Sequence, residues 1–141
     1  MVKRKGAFTD ETKELIMRRA NHRCDRCGMP APHGQFHHRT PRRMGGTSRD
    51  DLAFPSNGLL LHGSCHEYVE SHRGVAAQLG FLVGYGSLPS EAPVMLWNGW
   101  HVLNDDGTAT PCVKPPPIHP SVGGYGDGVG DVTVGDGAGD G

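Results

Sequence analysis

Apolar positions are sparse in this chain and fall into short groups, so the elements they predict are short. Over residues 10–20, Leu15, Ile16 and Ala20 share one face of a helix. Thr9 is a suitable N-cap, Asp10 and Glu11 suit the positive end of the helix dipole, and Arg18 and Arg19 suit its other end. Gln35-Phe36-His37-His38 reads as a short strand after a Gly- and Pro-rich stretch, and Pro41, Gly45, Gly46, Pro55 and Gly58 mark a long loop.

Leu59-Leu60-Leu61 is a short buried run suited to a second strand, and Cys65 to Ser71 has helical character up to Gly74. Val75 to Phe81 extends or follows that helix. Two apolar runs then flank Asn98-Gly99, the preferred type I′ pair, which predicts a hairpin over Val94 to Leu103. Trp97 and Trp100 serve packing or offer a base-stacking platform. The expected fold class is α+β, with the order strand, long loop, strand, helix. The expected organisation is a basic arm over 1–8, a folded domain over 9–80, an extension carrying the hairpin over 81–110, and a Pro-rich then Gly/Asp-rich tail over 111–141 expected to be disordered.

Composition narrows the picture. With 22 Gly and 11 Pro among 141 residues, few positions remain for a core, and a metal is expected to help hold it. No run approaches the roughly 20 apolar residues of a membrane helix, and no secretory leader is recognisable, so a cytoplasmic location is expected. Cys24-Asp25-Arg26-Cys27 in a His-rich, reducing setting reads as metal-binding, and Cys112 needs no role. The formal net charge of −1 hides an asymmetry, +5 over residues 1–73 and −6 over 74–141. The His and Cys residues lie largely in the basic half, which is an ordinary solvated surface or one that attracts a polyanion such as DNA.

A second knuckle, His62-Gly63-Ser64-Cys65, mirrors the first, so the expected structural zinc ligands are Cys24, Cys27, His62 and Cys65, with His72 or His66 as replacements for His62. Cys65 and His66 leave a helix about 100° apart and should serve different ions. His37, His38, Asn57, His66 and, one helical turn further, Glu70 then form a second, open metal site. His37 and His38 point to opposite sides of a strand, so one can bind a metal while the other takes a proton.

Cys24-Asp25-Arg26-Cys27-Gly28, His37-His38-Arg39-Thr40-Pro41, Gly45-Gly46, Asn57-Gly58-Leu59-Leu60-Leu61 and Cys65-His66 together resemble the HNH endonucleases, over roughly Arg19 to Arg73. The resemblance implies a ββα-metal fold and hydrolysis of DNA phosphodiester bonds, by cleavage or nicking, leaving 5′-phosphate and 3′-hydroxyl ends. It implies His37 and His66 as ligands of a divalent cation, His38 as general base, and Asn57 as the residue that holds the loop and orients His38. Mg or Mn is expected, with Ni or Zn as further options. Glu70 stands where many relatives carry His, either as a ligand favouring Mg or Mn or as a solvated carboxylate. Arg39, Arg42, Arg43 and Arg49 lie in or beside the long loop and are expected to meet a DNA backbone.

The part after Arg73 resembles extensions of small HNH proteins of tailed actinobacterial bacteriophages. That implies terminase subunits as partners and the host bacterial cytoplasm as location. Two other classes compete: a zinc-stabilised DNA-binding module without catalysis, and a metal-binding scaffold that leaves DNA alone.

Overall fold

The computed structural model describes residues 6–42 and 49–113 of the chain. Residues 1–5 of the basic arm, Arg43, the Gly45-Gly46 pair and the tail from residue 114 onward lie outside the described residues. Helix α1 runs over Asp10–Arg19, and Thr9 caps it: its Oγ1 accepts the Thr12 N–H at 3.1 Å. Asn21 and His22 then take left-handed φ values of 55° and 59°, turning the chain sharply into the first knuckle.

Strands β1 (Gln35–His38) and β2 (Gly58–Leu61) pair antiparallel, with His37 opposite Leu59 and His38 opposite Gly58. All residues of β2 are buried, because α1 and helix α2 (Gly63–Ser71) both pack against it. The knuckle docks on the same strand: Asp25 N–H donates to Leu60 O at 2.7 Å, and Leu60 N–H donates to the Asp25 carboxylate at 2.8 Å. Burial pushes that carboxyl up to about 6, against the Arg19 guanidinium 3.8 Å away.

A break at His72, with φ −127° and ψ 57°, separates α2 from α3 (Arg73–Gln78), so Val75 to Gln78 belong to a following helix, not an extension. Strands β3 (Val94–Leu96), β4 (Gly99–Leu103) and β5 (Ala109–Pro111) form a second antiparallel sheet. The hairpin is where the sequence places it, but its turn is shifted. Leu96 pairs with Gly99, so the loop is Trp97-Asn98 and not Asn98-Gly99. Gly99 opens β4 just after this turn at φ 121°, a value that favours glycine. β5 has no apolar alternation and is not legible in the sequence.

The core is continuous across residue 80: Ile16, Leu60 and Val69 share one cluster with Phe81, Val94, Leu96 and Leu103. The hairpin region is thus part of one packed body with β1 and β2. What joins the two most directly is Arg39.

Arg39 corrects the sequence reading. Instead of facing DNA it is 0% exposed, and its guanidinium donates to four backbone carbonyls: Gly80 at 2.9 Å, Ser56 at 2.9 Å, Pro89 at 2.9 Å and Ala92 at 2.6 Å. A planar cation with five donors suits a cage of carbonyl groups that no apolar side chain could satisfy. Its backbone joins in, since Arg39 N–H donates to Asn57 O and Val83 N–H donates to Arg39 O. Arg39→Met takes the guanidinium donors away from these four carbonyls. It should lower unfolding free energy by about 3 kcal/mol or more in urea titrations, and Arg39→Lys should restore only part of it. A loss under about 1 kcal/mol would fit a surface arginine instead.

Candidate metal centres and the histidine beside them

Three thiols converge where the knuckle meets α2. The Sγ atoms of Cys24, Cys27 and Cys65 lie within 4.8 Å of one another. Bonds of about 2.3 Å in a tetrahedron space sulfurs roughly 3.8 Å apart, so a small contraction would fit these thiols to a metal ion such as zinc. The surroundings act differently on Cys24 and Cys65. Burial raises the Cys24 thiol, yet the backbone N–H groups of Cys27, His62 and Arg26 outweigh it and hold it below its ordinary value. Arg26 lies over the Tyr68 ring at 3.9 Å and donates to Cys65 Sγ at 3.5 Å. Burial pushes Cys65 up to about 11, and the neighbouring Cys24 and Cys27 push the same way. A cation bound among the three sulfurs would relieve that pressure on Cys65.

His62 is not brought into this group. Its backbone N–H donates to Cys24 Sγ at 3.5 Å and it caps the start of α2, while its imidazole is not among the clustered donor atoms. Cys112 is also outside the cluster.

The second group forms on the other side of the Cys65–His66 divide. Donor atoms of His37, His66 and Glu70 lie within 4.8 Å of one another. Each histidine has its second nitrogen occupied by an oxygen that can only accept. His37 Nε2–H donates to Phe81 O at 2.8 Å, and His66 Nδ1–H donates to Gln35 Oε1 at 2.6 Å. Neutral rings so bonded carry lone pairs on His37 Nδ1 and His66 Nε2, the arrangement that orients imidazole towards a cation. Burial, opposed by the Phe81 contact, takes His37 down to about 4, so it is neutral at pH 7. Glu70 divides its carboxylate: Oε1 meets Arg73 at 2.6 Å, and Oε2 lies 3.8 Å from His66 Nε2. His66, Glu67, Glu70 and Ser71 line an open depression of about 450 Å³ through which a ligand could approach.

His38 is half-buried on the opposite face of β1. Its Nε2–H donates to Gly6 O at 2.7 Å, its ring stacks on Phe8, and burial lowers its pKa, with Arg42 acting in the same direction. Asn57 is fully buried and holds the loop by both ends. Its Oδ1 accepts the Thr40 N–H at 2.8 Å, and its Nδ2 donates to Thr40 O and Leu52 O. It touches the chain one and two residues beyond His38, at Arg39 N–H and at Thr40, so an effect on that ring runs through the backbone.

Of the arginines expected at DNA, Arg39 is interior and Arg43 lies outside the described residues. Arg49 is also committed: its fork closes on Asp51 at 3.0 and 2.7 Å and reaches Tyr85 O at 2.9 Å. Arg42 remains exposed. The sequence reading missed Gln35, Phe81, Gly6 and Phe8. Gln35 could have been found, because strand alternation puts it on the face of His37; the others depend on chain crossings that no local pattern announces.

Fold and site define a small α+β protein with a three-cysteine cluster able to hold a metal ion such as zinc. No helix among the described residues is long and apolar enough to cross a membrane. Comparisons with protein-family models, curated proteins and solved structures found no match to this chain.

Cys24→Ser or Cys65→Ser should lower zinc content and the melting temperature together, whereas His62→Ala should retain about one zinc per chain by metal analysis. Zinc lost equally from His62→Ala would make that imidazole a ligand after all.

Proposed function

We propose that this protein is a metal-dependent endonuclease that hydrolyses DNA phosphodiester bonds, as its resemblance to the HNH endonucleases implies. The observation that carries the reading is the His37, His66 and Glu70 donor group, with both imidazoles held by oxygen acceptors, while His38, the next residue of β1, stands outside the group on the other face of the strand. This group has three nitrogen and oxygen donors and an open approach, which would leave positions for phosphate and water.

In this reading His38 Nδ1 takes a proton from water as the water oxygen bonds to phosphorus. The bond from phosphorus to the 3′ oxygen breaks, that oxygen leaves and takes a proton from solvent, and the products are a 5′-phosphate and a 3′-hydroxyl. His37, His66 and Glu70 would hold Mg or Mn, which when bound offsets the negative charge that builds on the phosphate and departing oxygen. The paired nitrogen and carboxylate donors suit such a cation better than the thiols do. Asn57 keeps the loop closed against β1, and Arg42 is the described arginine free to meet a phosphate. The structural role of Arg39 and the pairing of Arg49 weaken the alternative of a DNA-binding module without catalysis, since that reading leaned on the arginine cluster.

Supercoiled plasmid incubated with the protein and Mg or Mn should become nicked or linear. His38→Ala should slow that conversion by roughly 10²- to 10⁴-fold with zinc content unchanged. If His38→Ala cuts as fast as the parent, the assignment of the base is wrong; if the parent leaves plasmid intact in either cation, the nuclease reading is.

A further inference from the structure

The segment just before α1 closes over His38 from a distance of about thirty residues in sequence. Gly6 accepts the Nε2–H of His38 at 2.7 Å, and the Phe8 ring lies on the imidazole with centroids 3.9 Å and planes 7° apart. Neither contact is a loose surface encounter. Gly6 is buried at a φ of 90°, which favours glycine, and Phe8 is only 4% exposed.

Space for Phe8 comes from the strand partner of His38. A Cβ on Gly58 would stand 2.9 Å from Phe8 Cζ and closer still to Ile16, so the missing side chain there makes the room that the ring fills. His38, Gly58 and Phe8 therefore form one packed unit, with α1 behind it through Ile16.

We propose that Gly6 and Phe8 are positioning residues for His38, holding its imidazole as the Nε2–H tautomer with Nδ1 as the proton acceptor. This rests on the nuclease reading. A carbonyl cannot donate, so a neutral ring bonded to Gly6 O carries its proton on Nε2 and its lone pair on Nδ1. Rotation about χ2 is soft for an imidazole and would exchange Nδ1 with a carbon. A parallel ring at van der Waals distance, together with the carbonyl, removes that freedom. The consequence is a base held ready in one orientation, which matters because a misplacement of about 1 Å can cost on the order of 100-fold in rate.

Phe8→Leu keeps an apolar side chain in the space and removes the flat ring. Phe8→Met, an unbranched filler, is the second variant if the first does not fold. In the full-length, metal-loaded chain, the ring ¹⁵N shifts of His38 should report a single Nε2–H tautomer in the parent and a mixture in the variant. Plasmid cleavage by the variant should show kcat reduced roughly 10- to 100-fold with KM within about twofold, while zinc content stays at the parent level. A His38 that carries its proton on Nδ1 in the parent overturns the proposal, as does a variant with parent-like shifts or parent-like kcat. A parent that cuts no plasmid removes the nuclease reading alone, because the ¹⁵N shifts still decide whether Gly6 and Phe8 fix the tautomer.

Discussion

A charged guanidinium with no exposed surface is the constraint on which the rest of the structure depends. Burying a cation costs several kcal/mol unless its donors are met, and Arg39 meets that cost with four carbonyls from three separate places in the chain. Those carbonyls come from the end of α3, the turn before β2, and the segment leading into β3. One side chain therefore fixes where β1 ends relative to everything that follows it. Because Arg39 follows directly on His37 and His38, the same anchor limits how far the two histidines can shift.

Two further interior contacts complete the frame. Asp25 joins the cysteine knuckle to β2 through paired backbone and carboxylate hydrogen bonds, and Asn57 ties Thr40 and Leu52 across the long loop. The polar interior is unusually important here because the apolar core is small. It also lets short strands carry functional groups on both faces: His37 towards Phe81 and His66, His38 towards Gly6 and Phe8. The chain thereby separates soft sulfur donors from imidazole and carboxylate donors at two adjacent residues of α2, Cys65 and His66.

Much of the local structure was legible. Thr9 announced α1, short apolar runs and turn residues located β1, β2 and the hairpin, and the Cys-x-x-Cys spacing located the thiol cluster, because each of these signals depends on neighbours a few residues apart. Adjacent side chains of a helix diverge, and Cys65 and His66 accordingly fall in different donor groups of the structure. Arg39 was misread because an arginine beside Arg42 and Arg43 looks like surface charge, and the carbonyls it binds lie 17 to 53 residues away. His62 was misread because knuckle spacing constrains the backbone, and it is the backbone N–H of His62 that faces Cys24. The turn at Trp97-Asn98 shifted by one residue because strand register, set by packing of Val94 and Leu96, overrode the local preference of Asn-Gly.

Two chemically distinct donor groups that could hold metal ions, one of cysteine sulfurs and one of imidazoles and carboxylate, meet at the boundary between Cys65 and His66. X-ray absorption at the zinc edge tests this separation most directly, on full-length protein carrying one equivalent of zinc and then titrated with Mn. Zinc held by the three cysteines should show sulfur-dominated coordination at about 2.3 Å that does not change as Mn binds elsewhere through nitrogen and oxygen. Coordination rich in imidazole nitrogen, or zinc displaced as Mn is added, would contradict it.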